Sequence, residues 1–179
     1  MIFMPQRLQT DRLLLRPFRK ADAPAVLAYA GDPEATRLMD WERHVDLADS
    51  EMFIEDVIGG WEDGGDYCWG IEDQVKGRII GAIGCQFDEQ GMTIGYIVAR
   101  DHWGQGVATE AAQAVFDAAR EIDDVYRFSA TCDVDNLASA RVLEKIGMTR
   151  EARLARWSER PNLDDNNGPR DVLMYAWTR

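Results

Sequence analysis

Residues 94–110, Ile-Gly-Tyr-Ile-Val-Ala-Arg-Asp-His-Trp-Gly-Gln-Gly-Val-Ala-Thr-Glu, hold the clearest chemistry in the chain. An apolar strand runs into a turn with Gly104 and Gly106 and then into a helix. Two glycines two apart let the backbone approach a ligand with no side chain between them. The helix that follows presents unpaired N–H groups and the positive end of its dipole, so the turn is a site for an anion such as a phosphate. It is not a Walker loop, because no Lys-Ser/Thr pair follows. It also lacks the third glycine and the acidic residue of the dinucleotide fingerprint. The second chemical segment is Asn136 to Met148. Here Asn136 and Ser139 stand three apart and share one helix face. Asn136 also reads as the helix cap.

The elements that must position these residues follow from the hydrophobic periodicity. Leu13-Leu14-Leu15 reads as a first strand over 10–17. Asp22 caps a helix with Pro24 in its first turn and Val26, Leu27, Tyr29 and Ala30 on its apolar side, stopped by Gly31-Asp32-Pro33. Residues 34–46 read as a short helix and a loop. Asp46 or Asp49 caps a further helix running to about Ile58, with Met52, Phe53 and Val57 inward and Gly59-Gly60 at its end. Strands over 67–71, 78–87 and 92–99, joined by short polar turns, predict an antiparallel meander. A helix from Gly106 to about Arg120 carries Val107, Ala111, Ala114, Val115 and Ala118 on one face. A strand over 125–132 precedes the helix with Ala138, Val142, Leu143 and Ile146 on one face, closed by Gly147. Strands over 148–157 and 171–177 flank a polar loop at 158–170. The pattern predicts one mixed α/β domain over 1–179.

Composition narrows the classes. The 179 residues carry a net charge of −12 and no Lys/Arg cluster, which argues against nucleic acid and suits a cationic partner or plain solubility. No run of 18 apolar residues predicts a membrane span, and the N-terminus lacks the pattern of a secretory signal. Cys68, Cys85 and Cys132 form neither a disulfide framework nor a zinc pattern, so a reducing cytoplasm is the expected compartment. Nothing asks for a metal. Cys132 reads as a core thiol rather than a nucleophile. His102 reads equally as a phosphate contact or as an exposed turn residue. At least two of Trp41, Trp61 and Trp69 read as core.

Taken together, 94–110 and 136–148 resemble the GNAT superfamily of acyl-CoA-dependent N-acetyltransferases, and more narrowly its Rim-type branch, which acetylates N-terminal amines of ribosomal proteins. Thr10-Asp11-Arg12-Leu13-Leu14-Leu15-Arg16-Pro17, Ile79-Ile80-Gly81 and Arg170-Asp171-Val172-Leu173-Met174-Tyr175 resemble that branch more weakly. The resemblance implies a central, mostly antiparallel sheet splayed into a V and flanked by helices, with acetyl-CoA as cosubstrate. It implies that the backbone at Ile97, Val98 and Ala99 pairs with the pantetheine arm. The turn at Trp103 and Gly104, with the N–H groups of Gln105, Gly106, Val107, Ala108 and Thr109, then holds the pyrophosphate. Asn136 bonds to pantetheine, and Ser139 gives the departing thiolate its proton. Tyr96 reads first as an aromatic lying on a sheet face, with proton donation to the thiol as its alternative.

Two positions depart from the family pattern. Asp101 stands three residues before the first glycine, where Gln or Arg is frequent. Thr93 stands where relatives carry a glutamate as possible base, which leaves Asp133, Asp135, Glu89 and Tyr96 as candidates. The expected acceptor is a primary amine, foremost a protein N-terminus. A small amine acceptor and a non-catalytic acyl-CoA-binding domain are the alternatives. The loops at 36–48 and 158–170 are expected to border the acceptor site. A monomer and a homodimer both fit.

Overall fold

The computed structural model describes residues 4–89, 91–164 and 168–179. Among these, eight strands form one sheet: β1 (Leu8–Gln9), β2 (Leu13–Arg16), β3 (Asp66–Asp73), β4 (Arg78–Asp88), β5 (Gly91–Val98), β6 (Arg127–Asp133), β7 (Thr149–Ser158) and β8 (Arg170–Thr178). Their spatial order is β1-β2-β3-β4-β5-β6-β8-β7. The helices are α1 (Ala23–Ala30), α2 (Pro33–Thr36), α3 (Leu47–Asp63), α4 (Val107–Arg120) and α5 (Leu137–Lys145). The mixed α/β architecture and the β3–β4–β5 meander are as expected. Residues 1–3, Gln90 of the turn expected over 88–91, and Asp165, Asn166 and Asn167 of the expected polar loop lie outside the described residues.

All neighbouring strands are antiparallel except β5 and β6, and that parallel pair is brief. It holds at Met92↔Phe128 and Thr93↔Ser129 and no further, so the two strands diverge beyond Thr93. The apex of this V is tight. A Cβ at Gly91 would sit 2.6 Å from the Arg127 carbonyl, and its φ of 127° favours glycine as well. One face of the sheet packs against α4 and α5 through Ala111, Val115, Phe116 and Leu143. The other packs against α1 and α3 through Val26, Tyr29 and Ile54.

Local chemistry corrects several expected details. Asp22 makes no side-chain cap on α1. It accepts instead from the Arg19 amide and pairs with the buried Arg16, which also binds Glu72. Asp46 and Asp49 both serve α3, as a reciprocal capping box. Met52 is exposed, and Ser50 and Ile54 are the fully buried positions of that helix. On α5, Ala140 and Leu143 are buried and Ala138 is exposed.

Helix α3 continues through Gly59-Gly60 to Asp63 and stops at Gly64, whose φ is 75°. A glycine inside a helix costs about 1 kcal/mol relative to alanine. Gly60 is there for space, because a Cβ would approach the Asp66 carbonyl to 2.9 Å, whereas at Gly59 nothing lies within 4 Å. Gly59→Ala is therefore expected to stabilise the fold by roughly 0.5–1 kcal/mol. Gly60→Ala is expected to lose that gain and to destabilise by about 1–3 kcal/mol through the clash. Denaturant midpoints of the two variants check the pair.

Candidate active site

The V between β5 and β6 opens onto a cleft of about 1510 Å3. Every residue singled out above for the cofactor lines it except Ala99 and Gln105. Ala99 gives its amide to the Ile80 carbonyl at 2.8 Å, which fixes the alternation along β5. Residues 93, 95, 97 and 99 turn their backbone groups to β4, and 94, 96 and 98 turn theirs to the V. Of Ile97, Val98 and Ala99, then, only Val98 offers backbone to a ligand in the V, and Tyr96 joins it. Ile97 reaches the cleft by its side chain. The Val98 carbonyl is already engaged, accepting from the Trp103 indole at 2.7 Å.

The glycine turn has the character expected of an anion cradle. Gly104 and Gly106 have φ of 72° and 80°, and a Cβ at Gly104 would project into open space. Gly106 precedes α4 without a side-chain cap. No backbone amide from Gly104 to Thr109 donates to another described residue, and the first helical bond is Glu110 N–H to the Gly106 carbonyl. Such a row of free donors at a helix N-terminus suits a phosphate. Arg12 fixes the turn from below. Its guanidinium donates to the Gln105 carbonyl at 3.0 Å and twice to Glu110 Oε2 in the first turn of α4, its amide donates to Glu110 Oε1, and Thr10 also binds Glu110. The weak motif at 10–17 and the start of α4 are thus halves of one clamp, visible only once the chain is folded.

Asp101 is not among the residues that line the cleft, and its carboxylate pairs with Arg78 and His102. Burial alone would raise its carboxyl, but bonds from His102 and Arg78 hold it below the usual range. His102 is buried, contrary to the exposed-turn reading. Its Nε2 lies 3.1 Å from the Lys76 ammonium, which only donates, so Nε2 accepts and Nδ1 donates to Asp101.

At the other end of the cleft, Asn136 accepts from the Ser139 amide through Oδ1, and its Nδ2 bonds to no other described residue. It is a cap with a spare donor. The Ser139 hydroxyl lies 2.9 Å from the Tyr96 hydroxyl, which also donates to the Ser139 carbonyl at 3.2 Å. Sequence reasoning treated the two as alternatives, and the fold makes them partners. Burial pushes the Tyr96 phenol well above its ordinary range. The buried Cys132 thiol adjoins Ser139 and is pushed up to about 11 by burial and by Asp133. It is a core thiol, as expected.

Of the candidate bases, Asp133 and Asp135 are both held by Arg170, at 2.8 and 2.5 Å. Glu89 is exposed in the turn after β4, and Tyr96 is bonded to Ser139. Trp69 is fully buried and Trp61 packs edge-on against it, whereas Trp41 lines the cleft beside His44. Among the described residues no cluster of His, Cys, Asp and Glu forms a metal site, and no helix is long and apolar enough to cross a membrane.

Residues 12–149 match the family model described as an acetyltransferase (GNAT) domain. The chain belongs to the GNAT acetyltransferase family. It is 29% identical to the uncharacterized N-acetyltransferase YoaA of Bacillus subtilis, over 94% of each chain. Its fold superposes on a GNAT-family acetyltransferase from Bacillus anthracis with a TM-score of 0.82 at 25% identity, covering 96% of this chain and 98% of that one. It also superposes on RimL, a ribosomal L7/L12 alpha-N-protein acetyltransferase solved with coenzyme A, with a TM-score of 0.84 at 22% identity over 96% and 97%. Acetyl-CoA is the cosubstrate of this GNAT acetyltransferase. The residues present fit it: free amides and paired positive-φ glycines for a pyrophosphate, and open strand edges at Tyr96 and Val98 for an amide-bearing arm.

Proposed function

We propose that this GNAT acetyltransferase acetylates the α-amine of a protein or peptide, by direct attack with both substrates bound. One observation carries the choice of amine. Thr93 stands where a glutamate base is frequent in the branch, and Asp133, Asp135 and Tyr96 are committed to other partners. A site with little basic help favours an amine that is neutral unaided. An α-amino group, with a pKa of about 7.7–8.0, is neutral in roughly one molecule in ten at pH 7; a lysine-type amine, near 10.4, is neutral in roughly one in a few thousand. The likeness to RimL supports the same reading. A backbone N–H of β5 facing the V holds the oxygen that gains charge, and Ser139, oriented by Tyr96, protonates the leaving sulfur. Most of the rate comes from holding two substrates together.

A small amine is the second reading, and Asn162 favours it. This residue donates to the carbonyls of Thr36 and Trp41 and accepts from the Arg43 amide, joining the two loops expected to border the acceptor into one wall.

The test is a panel of synthetic peptides with free and blocked N-termini, alongside amino acids and polyamines, with acetyl-CoA. Mass spectrometry locates the acetylated nitrogen. α-Acetylated peptides are expected; acetylation confined to small amines overturns the peptide reading. In the same assay Ser139→Ala is expected to lower kcat about 100-fold while leaving acetyl-CoA affinity by calorimetry unchanged. Undiminished turnover would remove Ser139 from the mechanism.

A further inference from the structure

Strand register maps the floor of the acceptor side row by row. Along β5, Thr93, Gly95 and Ile97 project to one face, and Ile97 packs there with Ala82 and the α1–α3 cluster. Ile97 lies opposite Ala82, Gly95 opposite Gly84, and Thr93 opposite Gln86. On β3, Cys68 lies opposite Gly84 and Asp66 opposite Gln86. The middle row is bare at its β5 end, where a Cβ at Gly95 would meet nothing within 4 Å, and the Cys68 side chain lies beside Gly84 at the other. This bare floor adjoins Tyr96, whose side chain crosses to Ser139 on the other face. It leaves room for an amine to reach the acyl group.

The next row is polar. Asp66, Gln86, Thr93 and, across the apex of the V, Ser129 lie side by side and all line the cleft. Gln86 donates to Asp66 Oδ2 at 2.9 Å, which draws the carboxylate toward β5. Strands are about 4.8 Å apart, so Asp66 sits roughly 10 Å from Thr93, backbone to backbone. Its side chain and an amine with its hydration can span that gap. Unlike Asp133 and Asp135, Asp66 has no arginine or lysine partner among the described residues. On its own face Cys68 is the thiol beside it, and burial and then the Asp66 charge keep that thiol protonated. Helix α3 passes it with the backbone of Gly60, so no side chain from that helix position covers it.

We propose that Asp66 is the carboxylate that holds the incoming amine and takes the proton its nitrogen sheds. The assignment rests on the acetyl-transfer reading above. The neutral nitrogen forms a C–N bond to the thioester carbonyl carbon and becomes positively charged. Asp66 accepts that proton, directly or through one water, and passes it to solvent. The C–S bond breaks, the sulfur takes the Ser139 proton, and Ser139 regains one from solvent. The products are an amide and a free thiol, with no further reactant. An ordinary carboxylate suffices, because the nitrogen becomes strongly acidic only as the C–N bond forms.

The experiment uses a synthetic peptide with a free N-terminal serine, its N-acetylated counterpart, and the full-length protein. Asp66→Asn keeps the acceptor oxygen for Gln86. It is expected to lower kcat/KM for the peptide about 100-fold without changing acetyl-CoA affinity by calorimetry. With CoA bound, the variant is expected to bind the free-amine peptide about 10-fold more weakly and the acetylated peptide as the wild type does. Thr93→Glu placed in the Asp66→Asn background is expected to restore at least tenfold of the lost rate, since it returns a carboxylate to the same row on β5, where the amine meets the acyl group. Asp66→Asn within threefold of wild type overturns the proposal. So does a loss that weakens both peptides equally and that Thr93→Glu does not relieve. A wild-type protein that releases no thiol with this peptide fails the peptide reading instead, which separates the two outcomes.

Discussion

Gly106→Glu is expected to abolish acetyl-CoA binding, with affinity reduced at least 100-fold in calorimetry and the fold retained by circular dichroism. Three effects act in one direction. Gly106 has a φ of 80°, a conformation that costs other residues about 1–2 kcal/mol. Relaxing that strain rotates the amides of Gly106 and Val107, which are among the free donors of the turn. The new carboxylate also stands where a pyrophosphate must approach, and two like charges about 4 Å apart at an effective dielectric of 20 repel by about 4 kcal/mol. Gly106→Ala separates these contributions. It carries the strain without the charge and is expected to weaken binding only about 10-fold. The Cβ position is 3.6 Å from an Arg12 nitrogen, ordinary contact, so crowding contributes little. Equal affinity in wild type and Gly106→Glu would mean that the turn holds no phosphate.

The sequence carried the elements that report through periodicity or turn chemistry. The meander, α4 with its glycine turn, and α5 with Asn136 as cap all stand within a few residues of the expected bounds. The details that escaped it depend on groups distant in the chain. Gly59-Gly60 reads as a helix end by local propensity, yet the helix runs on to Asp63, and only the packing of Asp66 against Gly60 shows why that position carries no side chain. Which backbone groups of β5 face the V depends on the Ala99–Ile80 bond, a pairing that no pattern along the strand reveals. Tyr96 and Ser139 are 43 positions apart, and Arg12 and Glu110 are 98 apart, so each residue alone had an ordinary explanation. Asp66 gave no signal at all, because a lone aspartate at the start of a strand is unremarkable until its row is assembled. The chemistry that could be read was the chemistry held in one turn or one helix face. What had to be assembled across strands could not.

Asp133 illustrates that limit, and its removal is expected to be the largest stability change. At the end of β6 it looked like a candidate base; in the fold it is fully buried and structural. Arg170 donates to both its oxygens, the Asp135 amide adds a third bond, and Arg160, itself buried, lies 3.4 Å away. Asp133→Ala leaves Arg160 and much of Arg170 without their counter-charge, and breaking a buried pair from one side costs about 3–5 kcal/mol. Asp133→Asn, which still accepts from the Asp135 amide, is expected to cost less. Burial would by itself raise the Asp133 carboxyl, but Arg170, the Asp135 amide and Arg160 hold it below its ordinary range. A carboxylate depressed in the folded state adds stability that is complete above its unfolded pKa of about 3.9 and fades as pH falls through the folded value. Urea midpoints are therefore expected to differ most between wild type and Asp133→Ala at pH 6–7 and to converge below pH 4. A gap that persists unchanged into acid would mean that Asp133 acts through packing rather than charge. Arg160 and Arg170 stand at the two ends of the loop proposed above to border the acceptor, so the same substitution removes the anchor between them. Acceptor KM should accordingly rise more than acetyl-CoA KM at temperatures where the variant stays folded.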